Sequence, residues 1–235
     1  MKIIRNEKLI KRNARIGQIT MFGSLAILIG GMFISWRYPE QAVLSLILLI
    51  FGFLLAQVGI YFSNRWGRKP RPDELLDTGL KGFDNKYSLY HYSSPIAHLL
   101  VGPAGIWTLH PYHQSGSISY SNGRWRQKGG KLFLKIFAQE NLGRPDLDVQ
   151  GDLRKIVSYL EEQLPEDDAL IVRSALVFTN PEVQINISEE DSPPAVTIPL
   201  KKLKDAIRKS AKGKSLSIEV VNRVNELLGG ENSTN

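Results

Sequence analysis

The chain opens with two uninterrupted apolar runs, Ile16 to Trp36 and Ala42 to Phe62, and neither holds an acidic or basic side chain. Each is 21 residues long, and about 20 apolar residues are enough for a helix to cross a bilayer. Charge gathers at their flanks. Lys2, Arg5, Lys8, Lys11, Arg12 and Arg15 precede the first run, and Arg65, Arg68, Lys69 and Arg71 follow the second. The connecting segment, Arg37 to Gln41, carries one Arg and one Glu. Because Lys and Arg are retained on the cytoplasmic side, the pattern predicts a multi-pass membrane hairpin with both termini and the soluble domain in the cytoplasm. A secretory signal peptide would have a shorter apolar core ending in a small-residue cleavage site. Nothing of that kind follows Met32–Trp36, and a second run comes at once. The pairs Ala26-x-x-x-Gly30 and Gly52-x-x-x-Ala56 place small residues one turn apart, as at close seams between membrane helices, either within the hairpin or between copies of the chain.

Beyond the second run the pattern changes to shorter periods. Gly67-Arg-Lys-Pro-Arg-Pro72 breaks the helix and reads as a stiff linker. From Asp73 the spacing of Leu75, Leu76 and Leu80 predicts a helix. Strand-like runs follow at Tyr87–Tyr92, Ile96–Val101, Gly105–Leu109, Ser117–Tyr120 and Lys131–Phe137, with Asn122-Gly123 a strong hairpin signal. Val149, Leu153, Ile156, Val157 and Leu160 recur at helical spacing and predict a long helix from Leu147 to Leu164. Ala169–Thr179 reads as a buried strand, Asn180–Pro194 as a hairpin or loop, Pro199–Lys212 as a basic helix and Leu216–Leu228 as a last helix. The predicted layout is a basic segment over residues 1–15, a helical hairpin over 16–63, a linker over 64–71, an α/β domain over 72–229 and a disordered tail over 230–235.

Composition adjusts this picture in two ways. The absence of cysteine excludes disulfides and thiolate metal sites. The net charge of +7 would suit nucleic acid, but residues 1–63 hold seven Lys/Arg against two Asp/Glu, and the rest holds 23 against 21. Most of the excess therefore flanks the hairpin, where it attracts anionic lipid headgroups. The soluble part lacks the electrostatic footprint of a dedicated DNA binder.

The segment Pro95–Ile118, with its His98, Gly102-Pro-Ala-Gly105 and the run Ile106–His113, resembles the core of the nuclease-related domain (NERD) family, whose fold is of the PD-(D/E)xK type. Asp73-Glu74-Leu75-Leu76 is similar to that family's opening helix, Gln150 to a Gln at the start of its long helix, and Ser174–Thr179 to a later core strand. The resemblance implies an α/β domain with a mixed central sheet flanked by helices. It also implies a site in which an Asp and a Glu bind a hard divalent cation while a Lys two residues beyond the Glu positions water. Here the positions matching Asp, Glu and Lys are Ala97, His110 and Tyr112. Ala97 has no ligand atom, His110 is a poor ligand for Mg²⁺, and Tyr112 supplies no cation near neutral pH. The expectation is a nuclease-like fold without catalytic residues and without a cofactor. It would act as a binding or scaffolding module for anionic lipid, nucleic acid or another protein at the cytoplasmic membrane face. The alternative is an active metal-dependent nuclease with a migrated site, in which Glu74 and Asp84, Asp146 or Asp148 hold Mg²⁺.

Other motifs carry less. His98, His110 and His113 match no zinc spacing, and Gly213-Lys-Ser215 lacks the first glycine of a phosphate loop. For lipid or nucleic-acid contact the candidates are Lys201, Lys202, Lys204, Arg208 and Lys209 on the basic helix, which turns Leu200, Leu203, Ala206 and Ile207 inward. Arg124 and Arg126 join them from a smaller basic and aromatic hairpin that also holds Trp125, Lys128 and Lys131. Lipid is the nearer partner for a domain tethered to the membrane.

Overall fold

A computed structural model describes residues 1–129, 141–164, 170–188, 190–213 and 215–230. The expected strand over Lys131–Phe137 and most of the expected tail lie outside them. The chain divides into two compact units.

The first unit is helical. Helix α1 (Glu7–Arg37) and helix α2 (Ala42–Phe62) are joined by a single 3-10 turn, Pro39–Gln41, and α2 runs on into a π-helical turn at Ser63–Gly67. Both are long and apolar enough to cross a membrane, and little of either apolar stretch is buried within the protein. Phe22, Leu25, Phe33, Ile47, Phe51 and Leu54 all face outward, which water would not favour. The buried positions are Ile10, Asn13, Gly17, Ser24 and Gly31 on α1 and Ser45, Gly52 and Gly59 on α2. From Gly17 onward, and along the whole of α2, they recur every seven residues, the period of a left-handed supercoiled pair. A methyl group on Gly59 would lie 3.0 Å from the Met21 backbone nitrogen, so these small residues let the backbones approach. Ser24 and Ser45 donate their hydroxyl protons to carbonyls one turn earlier in their own helices, which satisfies them inside an apolar seam. Within the hairpin this differs from the four-residue pairing expected above. Gly52 lies in the seam, but Ala26 is exposed and Gly30 has open space beside it.

The second unit is an α/β domain that includes the first six residues of the chain. Its large sheet contains β1 (Lys2–Arg5), β2 (Ser88–His91), β3 (His98–Gly102), β4 (Gly105–Tyr112), β7 (Val172–Phe178) and β9 (Val196–Pro199), in the spatial order β1-β2-β3-β4-β7-β9. β2, β3 and β4 form an antiparallel meander, and the β1–β2, β4–β7 and β7–β9 pairs are parallel. A small sheet of β5 (Ser117–Ser121), β6 (Arg124–Lys128) and β8 (Gln184–Ile187) has the order β6-β5-β8. Asn122 and Gly123 take the positive φ values of the tight hairpin turn expected there.

Alternation along the strands divides the core. Trp107, Leu109, Ala175 and Val177 face helices α3 (Pro72–Gly79) and α5 (Leu203–Ala211), which contribute Leu76, Leu203 and Ile207. Leu99, Val101 and Ile106 face α4 (Pro145–Gln163) and α6 (Ile218–Gly230), which contribute Ile156, Leu160, Val221 and Val224. The domain is thus a mixed sheet between two helical layers. The small sheet packs through Ile118 and Trp125 near Val149 and Leu153 of α4 and Leu176 and Phe178 of β7.

Candidate functional site

On β4 the even-numbered side chains face α4, and these include the two positions where the family resemblance places Glu and Lys. Three polar side chains stand in a column: Thr108, His110 and Tyr112. Thr108 Oγ1 lies 2.6 Å from Ser174 Oγ on β7 and 3.1 Å from His110 Nε2. His110 Nδ1 is 3.8 Å from an Asp152 carboxylate oxygen on α4. Tyr112 donates its hydroxyl proton to Asp148, 2.7 Å away, and Trp125 Nε1 donates to Asp146, also at 2.7 Å. Asp146 and Asp148 lie in the first turn of α4, where backbone dipoles favour negative charge.

Burial is the main reason that the Tyr112 phenol is held well above its ordinary range, followed by its hydrogen bond to Asp148 and the charges of Asp148, Asp146 and Asp152. It therefore stays protonated and serves as a donor. Pro111 fits the strand because neighbouring residues point their amides in opposite directions. Tyr112 uses its carbonyl to accept from Thr179 on the β7 side, so the missing Pro111 donor falls on the other side. There the pairing with β3 has already ended at Thr108.

Asp152, His110 and Thr108 follow the order of a nucleophile triad, yet Thr108 is 0 % exposed. Its hydroxyl is shared between His110 and Ser174, so no substrate carbonyl reaches it. Of the acids named for a migrated nuclease site, Glu74 and Asp84 lie apart from those of α4. Glu74 lies on α3, against the opposite face of the sheet, and Asp84 caps a turn by accepting from the Lys86 amide. Asp146 and Asp148 are engaged by aromatic donors. Among the described residues, no group of three or more His, Asp or Glu side chains is placed to hold a metal ion. Ala97 lies between β2 and β3, its carbonyl accepting from the Tyr92 amide, and Gln150 is exposed on α4.

The basic candidates divide between two places. Lys201, Lys202, Arg208 and Lys209 are exposed and Lys204 is half-buried. Lys204 donates to the Lys81 carbonyl at 3.0 Å and Arg208 to the Gly82 carbonyl at 3.3 Å, with the Arg208 guanidinium 5.5 Å from the centre of the Phe83 ring. These two therefore pin the loop before β2 as well as carrying charge. Arg124 and Arg126 are exposed on β6, on the α4 side of the large sheet. Helix α5 packs on the other side of the large sheet, and Lys202 shares a cleft with Ile185 and Ile187 of β8 in the small sheet.

A second polar cluster lies on the α3 face. Arg5 of β1 places Nε 3.0 Å from Asp73, whose side chain is 0 % exposed, and Nη2 against Asp77. Asp77 in turn lies 3.0 Å from His91 Nε2, and His91 Nδ1 is 2.8 Å from His98 Nδ1. Reading the sequence singled out Glu74 and passed over Asp73 beside it. The available signal was the four-residue spacing of Asp73 and Asp77, which puts both carboxylates on one helix face. Their cation comes from the far end of the chain segment and leaves no local trace. Compared with protein-family models, with curated proteins and with solved structures, the chain gives no match.

Proposed function

We propose that this protein is a multi-pass membrane-anchored domain of the PD-(D/E)xK-like, nuclease-related type that has lost nuclease chemistry and serves as a binding module at the cytoplasmic membrane face. The observation that carries the non-catalytic reading is the column on β4. His110 and Tyr112 stand where the family resemblance places a metal-binding Glu and a Lys, and their polar atoms are directed at α4 carboxylates. The side chains that should hold a cation and a water are instead engaged by their neighbours: His110, buried, by Thr108, and Tyr112, half-buried, by Asp148.

Seating of β1 in the same sheet as β2 supports the hairpin topology, because the chain then starts on the domain's own side of any membrane. Two crossings meet that requirement and one does not. Flanking Lys and Arg favour the cytoplasmic side. Anionic lipid is the partner that suits helix α5 best. Its charge lies across the sheet from the β4 column. The test is the full chain in nanodiscs with and without phosphatidylglycerol. Lipid-dependent protection of α5 amides from exchange is expected, with no cutting of DNA or RNA in Mg²⁺ or Mn²⁺. Cutting that is lost on Glu74→Gln would overturn the non-catalytic reading. Unchanged α5 exchange, together with salt-sensitive nucleic-acid binding, would overturn the lipid reading.

A further inference from the structure

The two faces of the small sheet differ in kind. Alternation along its strands turns Ile118, Trp125 and Ile185 inward, towards α4 and β7. The outer face carries Arg124, Arg126 and Lys128 in one column along β6, and all three are exposed. Their neighbours are neutral. Ser121, Ser119 and Ser117 of β5 lie opposite the three cations, and Asn186 and Gln184 of β8 stand beside Ser119 and Ser117. Asn186 Nδ2 donates to the Ser117 hydroxyl at 2.8 Å. The three strands place no acidic residue on this face. Among the described residues, none of the three cations is in an ion pair.

Strand geometry sets the spacing of the column. Side chains two residues apart on a strand recur on one face at about 6.8 Å, so three like charges stand in a row with no carboxylate to separate them. A face shaped for solubility alone mixes the two signs. An extended peptide with acidic side chains at alternate positions has the same repeat, so its carboxylates meet the cations in step along β6. The serine hydroxyls and the β8 amides then serve the remaining carboxylate oxygens. Two other anions fit less well. A single-stranded nucleic acid draws on aromatic rings for stacking, and Tyr120 and Trp125 are turned inward, paired with 4.8 Å between ring centres. A membrane surface takes apolar side chains into its headgroup layer, and the strands place none on this face.

We propose that the outer face of the small sheet docks an extended acidic segment of a partner protein, with Arg124, Arg126 and Lys128 as its charge ladder. This surface is separate from the lipid contact proposed for α5 and does not depend on it.

The full chain is held in nanodiscs of phosphatidylcholine alone, and binding of a fluorescein-labelled peptide of alternating Glu and Thr is read by anisotropy. A peptide of the same composition with its Glu residues in one block is the comparison. The alternating peptide should bind about tenfold more tightly, because exposed pairs that are individually weak add up only when all are in step. Arg124→Gln combined with Arg126→Gln should abolish that advantage. Ser119→Asp, which sets a carboxylate opposite Arg126, should reduce it. Lys201→Gln combined with Lys202→Gln, on the basic helical segment, should leave it unchanged. Equal affinity for the two peptides overturns the proposal, as does an advantage that survives the paired Arg substitutions or is lost equally in the Lys201 and Lys202 variant. Tighter binding of oligo-dT or of phosphatidylglycerol vesicles than of the alternating peptide, lost with the same Arg substitutions, would assign the face to nucleic acid or to lipid and overturn it too.

Discussion

Replacing Arg5 with Ala removes the guanidinium that joins β1 to α3. The cost is set by burial of the partners. Breaking an ion pair in the interior, so that one charge is left alone, costs about 3–5 kcal/mol, and an exposed pair is worth about 0–1 kcal/mol. Asp73 is wholly buried, while Arg5 and Asp77 each keep 21 % of their side-chain surface. The two limits therefore bracket a loss of about 2–4 kcal/mol, a large share of the stability of a domain this size. Neutralising Asp73 should recover part of it. In a cycle of Arg5→Ala, Asp73→Asn and the double variant, the coupling should be about 1–3 kcal/mol. The assay is urea unfolding of the full chain in mild detergent, followed by fluorescence after Trp36 and Trp66 are changed to Phe, which leaves Trp107 and Trp125 to report on the α/β unit. An Arg5→Ala variant within about 0.5 kcal/mol of the parent would refute the clasp, as would additive single variants.

Further predictions concern the rest of the fold. Burial, partly offset by the Ser88 hydroxyl, lifts the Tyr90 phenol from 10.0 to about 12. The unfolded phenol then ionises first, so its contribution is complete below pH 10 and disappears as pH rises towards 12. Tyr90→Phe should flatten that part of the alkaline unfolding curve. Gly116 has φ +91°, and a methyl there would run into the Lys128 carbonyl oxygen; Gly116→Ala should cost more than about 2 kcal/mol in the same urea assay. Tyr112→Phe loses a bond to an exposed Asp148 and should cost only about 0.5–1.5 kcal/mol by urea unfolding.

How much of this was legible depended on whether each signal was local. The hairpin was written in two charge-free runs, and α4 in its helical spacing: the expected Leu147–Leu164 became Pro145–Gln163. The Asn122-Gly123 turn needed only its own two residues. Strand β1 was missed because Lys2-Ile-Ile-Arg5 is too short to show a period, and its partners begin at Ser88. The segment 1–15, read as one basic stretch, is in fact a strand followed by the start of α1. The hairpin seam was read only in part, for a different reason. A four-residue spacing of small residues is frequent in membrane helices, and only the packed pair shows that the seven-residue series is the buried one. At the candidate site the family resemblance gave an expectation of which groups differ, but not what His110 and Tyr112 do. That His110 and Tyr112 reach the carboxylates of α4 depends on contacts between residues about 40 apart in the chain.

In the proposed topology both ends of the hairpin belong to one domain on the cytoplasmic side. The chain has no cysteine, so single cysteines can be placed in the full chain at Lys8, at Glu40 between the two helices, and at Asn122 on the exposed β5–β6 turn. A membrane-impermeant maleimide added to intact cells should label only Glu40→Cys, and should reach Lys8→Cys and Asn122→Cys only after permeabilisation. Labelling of Lys8→Cys and Asn122→Cys from opposite sides, or labelling of Asn122→Cys in intact cells, would contradict it.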